Sequence, residues 1–141
     1  MIRVVLDANV LVSGIAGYKK AESAPGELLR RLVRGDFSLV TSNAILSEVR
    51  RTLAKAFFTR SLSTEDRSEL IAAAIRGADI LTILIPVSGV ASHPEDDLVL
   101  ATASSGAADY LVTGDHQLLA LGSFQEVHVV SARQFLDELS V

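Results

Sequence analysis

The chain contains no cysteine. Disulfide bonds, thiolate nucleophiles and cysteine-based zinc sites are therefore excluded together, and the composition fits a cytoplasmic protein. Aromatic residues are scarce: five Phe and two Tyr cannot build an extended platform for stacking nucleic-acid bases. Long apolar runs are missing as well. Each is interrupted well short of the roughly 18 to 20 residues that a membrane span needs, so no membrane partner is expected. The opening stretch MIRVVLDANV carries an Asp inside its apolar run and lacks a small-residue cleavage site. No signal peptide is expected from it.

Apolar residues, in contrast, make up 49% of the 141, enough for one domain spanning 1–141 around one core. The net charge of −4 at first argues against a nucleic-acid partner. Its distribution argues the other way. Residues 1–60 hold ten of the thirteen Lys and Arg against five acids, and residues 61–141 hold three against twelve. A chain divided in this way can present a basic face to a phosphate backbone and keep an acidic cluster elsewhere. It can equally interleave the two signs on folding and form no patch.

Apolar β-branched runs alternate with helical patterns, which points to βαβ units. Ile2–Leu6 reads as a buried first strand and Phe37–Val40 as a second. Pro25 opens a helix with Leu28, Leu29, Leu32 and Val33 on one face, and Gly35 stops it. Ser42 or Asn43 caps the next helix, through Ile45, Leu46, Val49 and Leu53. Ser63 to Asp66 opens another, with Leu70, Ile71, Ala74 and Ile75 inward. The run 80–85 extends that helix or forms a short strand, and 86–94 reads as a loop. Asp96 or Asp97 begins a helix ended by Gly106. Tyr110–Val112 and Val127–Val130 read as strands, and Ser131–Leu139 as a closing helix. The expected fold is α/β: a three-layer α/β/α sandwich with a central, mostly parallel twisted sheet of four to five strands.

In such sheets ligands gather beyond the carboxyl ends of the strands. Asp7 follows the first strand, Glu48 lies in the helix after the second, Asp96 and Asp97 open a later helix, and Asp115 follows the strand Tyr110–Val112. Asn9, Ser13 and Thr113 add oxygen-bearing side chains nearby. Each acid also has a plain structural explanation, as a helix cap, a dipole partner or half of an i,i+3 ion pair with Arg51. Together they are harder to explain that way. Converging carboxylates without a basic neighbour are costly, and a divalent cation is the usual remedy. Hard oxygen donors suit Mg²⁺ or Mn²⁺, which can activate water and stabilise the leaving oxygen of a phosphodiester.

Four segments carry a resemblance: Asp7–Ser13 (DANVLVS), Ser42–Val49 (SNAILSEV), Pro94–Ala103 (PEDDLVLATA) and Ala108–Asp115 (ADYLVTGD). In this order and over nearly the whole chain, they make the sequence resemble the PIN-domain nucleases, and within them the single-domain prokaryotic branch that includes VapC-type toxins. The resemblance implies a metal-dependent endoribonuclease leaving a 5′-phosphate and a 3′-hydroxyl. It implies that Asp7, Glu48, Asp97 and Asp115 are the catalytic metal ligands, with Asp96 a weaker neighbour. It also implies a small antitoxin protein that fills the groove and, often, a homodimer. One departure is visible: His93 stands where close relatives often carry an Asp.

Lys19 and Lys20, in a loop beside the expected cleft, and Arg50 are the candidate contacts to an RNA substrate. Arg30, Arg31, Arg34, Arg51, Lys55 and Arg60 either share that role or form solvated helix faces. Two other functions compete. One is a PIN-like module that holds RNA or protein without cutting it. The other is an aspartyl-phosphate protein; its phosphatase variant needs a general acid two residues after the first Asp, and Asn9 cannot donate a proton in that way.

Overall fold

The computed structural model describes residues 1–82, 88–90 and 94–140. The first strand, β1 (Arg3–Leu6), is Val- and Leu-rich and buried on both faces, as a central parallel strand must be. It runs into α1 (Ala8–Ala16), followed by α2 (Ala24–Arg34). Ser23 caps α2 by accepting the Gly26 N–H, and Gly35 ends it in the left-handed conformation at φ 89°. Next come β2 (Ser38–Ser42), α3 (Asn43–Leu53), α4 (Ala56–Ser61) and α5 (Thr64–Ile75). The chain then forms β3 (Asp79–Leu81), α6 (Pro94–Ser105), β4 (Tyr110–Val112), α7 (His116–Leu121), β5 (Ser123–Phe124), β6 (Val127–Val130) and α8 (Ala132–Leu139).

The sheet order is β3-β2-β1-β4-β6-β5. Five strands are parallel, matching the expected four to five; the two-residue β5 adds an antiparallel edge that the sequence did not announce. From β1 the chain winds outward through β2 to β3, then returns past β1 to β4 and β6. Right-handed crossovers therefore put α1 and α2, which link β1 to β2, and α6, which links β3 to β4, on opposite faces. α1, α2 and α8 pack together in one layer, and α6 lies across β1, β2 and β4. Between β1 and β4 the winding direction reverses. That switch point is where a doubly wound sheet opens a crevice at its carboxyl edge.

Several boundaries differ from expectation. α6 begins at Pro94, before Asp96 and Asp97, because proline fits the first helical turn, where its missing N–H has no helical partner anyway. Val33 was expected inward but is 38% exposed, whereas Leu28, Leu29 and Leu32 are buried. α5 is peripheral, with Ala74 its one fully buried residue. At 80–85 the strand alternative holds through Leu81; residues 83–85, most of the expected 86–94 loop and His93 lie outside the described residues. Among the described residues no helix is long and apolar enough to cross a membrane.

Candidate active site

The Asp7 N–H donates to the Val112 carbonyl at 2.9 Å, tying the end of β1 to the end of β4. Asp7 thus stands at the switch point itself. Its side chain is buried, at 7% exposure. By position it precedes α1, yet it makes no side-chain cap to that helix. Its Oδ2 instead accepts the Thr113 hydroxyl at 2.7 Å. Thr113 Oγ1 also accepts the Asp115 N–H at 3.1 Å, so one buried hydroxyl organises both acids.

Asp115 has a double role. Its Oδ1 accepts the Gln117 and Leu118 N–H groups at 2.8 and 3.0 Å, capping α7 as a plain structural reading expects. Its second oxygen has no hydrogen-bond partner among the described residues. The charge of Asp115 reaches Asp7 and works against its ionisation. Burial raises the Asp7 pKa most; the Thr113 hydroxyl and the Ala8 N–H pull it down by less, and Asp115 pushes it up again. No Lys, Arg or His forms an ion pair with Asp7 among the described residues.

Asp97 is buried in α6, at 8% exposure, one turn before the buried Leu100 and Ala101 and hence on the inward face. Its Oδ2 accepts the Gly89 N–H at 3.0 Å. Glu48 is half-buried on α3 and pairs neither with Arg51 nor with any other cation among the described residues. The structure therefore joins Asp7, Thr113 and Asp115 directly. It puts Asp97 and Glu48 on the helices flanking the same edge, but among the described residues no three acidic or histidine side chains form a group that could hold a metal ion. Asp7 and Asp115 do suit a hard divalent cation: oxygen donors, buried or partly buried, with repelling charges and no ion pair among the described residues.

Asn9 and Ser13 are exposed on α1, and Asp96 is half-buried in α6. Lys19 and Lys20 are exposed on the rim of a cavity of about 640 Å³, lined also by Ile15, Tyr18, Phe58 and Leu70. Arg50 borders a separate cavity of about 420 Å³ between α3 and α5. The α2 arginines are committed elsewhere. Arg30 binds Glu27 and the Tyr18 and Lys20 carbonyls, and both Arg31 and Arg34 bind Asp36. Arg50, Arg51 and Lys55 have no ion pair among the described residues.

A family model described as a PIN domain matches residues 3–117. The chain belongs to the PIN-domain family. PIN domains are generally nucleases. Among solved structures, a chain of the crystal structure of VapBC2 from Rickettsia felis, bound to a DNA fragment from their promoter, shares the fold. Its TM-score is 0.58 at 14% identity, over 91% of this chain and 97% of that one. No curated protein matches the sequence.

The sequence reading names Thr113 as a polar neighbour of Asp7 and Asp115, and the structure joins the three. That reading missed Thr102 on α6, whose hydroxyl is fully buried against Ser42. A Thr inside the run LATASS carries no pattern that marks it.

Proposed function

We propose that this PIN domain is a metal-dependent endoribonuclease, with Asp7, Glu48, Asp97 and Asp115 as the residues that hold Mg²⁺ or Mn²⁺. The observation that carries this reading is Asp7: a buried carboxylate at the switch point, fixed by Thr113, beside Asp115 and without a cationic partner among the described residues. Such a group is disfavoured as an anion until a cation joins it. When bound, the metal supplies Lewis acidity to the scissile phosphate and the attacking water.

The chain's own residues do the rest. Thr113 holds Asp7 in one rotamer while the Asp115 backbone is held by the same hydroxyl. The Gly89 N–H orients Asp97. Lys19, Lys20 and Arg50 meet the phosphates of the RNA strand. No histidine or serine nucleophile is required. The shared fold with a VapBC2 chain supports a further step: the protein is the toxin of a toxin–antitoxin pair, held by a small antitoxin protein and able to form a homodimer.

The test is cleavage of a single-stranded RNA by the purified chain with Mn²⁺ and with EDTA. Cutting with Mn²⁺ alone, leaving 5′-phosphate ends, is expected; cutting that persists in EDTA defeats the metal reading. A second reading, a PIN module that binds without cutting, draws on the absence of a three-acid group among the described residues. Calorimetry separates the two, since the binding module takes up no Mn²⁺ at millimolar concentration.

A further inference from the structure

The two acids that the structure does not join to Asp7 sit on different helices, Glu48 on α3 and Asp97 on α6. One buried polar contact connects those helices. Thr102 Oγ1 of α6 lies 3.0 Å from Ser42 Oγ and 2.9 Å from the Leu98 carbonyl. Ser42 Oγ also accepts the Ile45 N–H at 3.4 Å, capping α3. A hydroxyl has one proton. The arrangement that uses each once has Thr102 donating to Leu98, Ser42 donating to Thr102, and Ile45 donating to Ser42. Ser42 and Thr102 are 1% and 0% exposed, so water cannot replace a lost partner without rearrangement.

The pair also lies where the site needs it. β1 and β2 pair Val4 with Leu39 and Val5 with Val40. Continuing that register by two residues sets Asp7 beside Ser42. Alternation along the strands puts Asp7 and Ser42 on the same face as Val40. That face is the one covered by α6: a Cβ on Gly106, just past the helix, would lie 2.4 Å from Val40 Cγ1. α6 is thus pinned at two points, by close approach at Gly106 and by the hydroxyl pair nearer the carboxyl edge. With both fixed, its rotation and axial position are set, and Asp97 is carried with them.

Resting on the nuclease reading above, we propose that Ser42 and Thr102 are positioning residues of the carboxylate site. Their hydroxyls couple the start of α3 to the register of α6, so that Glu48 and Asp97 are presented to the Asp7–Asp115 pair together.

The test replaces Thr102 by Val, which keeps the shape and removes the hydroxyl, and by Ser, which restores it. Mn²⁺ affinity is measured by calorimetry without RNA, and amide hydrogen exchange is followed over 43–48 and 94–98 in the metal-free chain. Thr102→Val is expected to weaken Mn²⁺ binding by about tenfold, the scale typical of groups that orient metal ligands, while Thr102→Ser stays within about threefold of the parent. Faster exchange in both segments is expected with Thr102→Val. Should Thr102→Val fail to fold, Ser42→Ala and its rescue by Ser42→Thr make the same comparison. A folded Thr102→Val or Ser42→Ala variant with parental Mn²⁺ affinity and exchange overturns the proposal. Absence of Mn²⁺ binding in the parent overturns the metal reading instead, and this inference with it.

Discussion

Asp7 is buried beside a like charge, and that has a measurable consequence before any metal is added. Its pKa in the folded chain lies above its unfolded value. Protonation therefore favours the fold; this contribution is full below the ordinary carboxylate range and is lost as pH rises through the raised value. The metal-free Asp7→Asn variant should thus melt higher than the parent at neutral pH, and the two curves should converge in acid. Thermal unfolding across pH checks this, and a parent that is the more stable at neutral pH contradicts it. Mn²⁺ at about a hundred times its Kd should stabilise the parent by about 2.7 kcal/mol and leave Asp7→Asn nearly unmoved. Thr113→Val strips a partner from both Asp7 and the Asp115 N–H. Denaturant unfolding should show a loss of about 1–3 kcal/mol. At this scale the sequence was most readable where an acid follows a strand, as at Asp7 and Asp115. It was least readable where the contact is between hydroxyls that no motif marks, as for Thr102 and Ser42, 60 residues apart.

The helices divide in the same way. α2 could be read because its start and stop are local chemistry, Pro25 at one end and Gly35 at the other; the Ser23 cap emerged only in the structure. Its packing could not be read. A Cβ on Gly26 would stand 2.1 Å from the Gly17 carbonyl oxygen, because α1 and α2 approach too closely for any side chain there. Gly26→Ala should therefore cost about 1–3 kcal/mol in chemical denaturation, an overpacking penalty that no propensity scale anticipates. α6 shows the converse. Its acidic opening suggested a start at Asp96 or Asp97, yet the helix begins at Pro94, so Asp97 falls within the first turns and faces inward. Its buried position on the inward face makes Asp97 a site candidate by structure as well as by motif.

Across the whole molecule, the basic residues of the first half divide into those held by ion pairs and those with none among the described residues. Arg30, Arg31 and Arg34 are bound by Glu27, Asp36 and backbone carbonyls, while Arg50, Arg51, Lys55, Lys19 and Lys20 have no ion pair among the described residues. RNA binding by an uncleaving Asp7→Asn chain should follow that division. Arg50→Gln should lower the slope of log affinity against log salt by about 0.7, one phosphate contact on a single strand, and Arg34→Gln should leave it unchanged. Filter binding over a salt series reads both. The topology explains why Asp7 and Asp115 could be expected side by side: a parallel sheet that reverses its winding direction between β1 and β4 brings the residues after those two strands to one crevice. The measurement that bears most directly on the central claim is the Mn²⁺-dependent cleavage rate of single-stranded RNA by the parent and by folded Asp7→Asn, compared side by side. A carboxylate metal site predicts that Asp7→Asn loses at least about a hundredfold in rate, of the order that removing one preorganised catalytic group costs. Equal rates for the two proteins would contradict it.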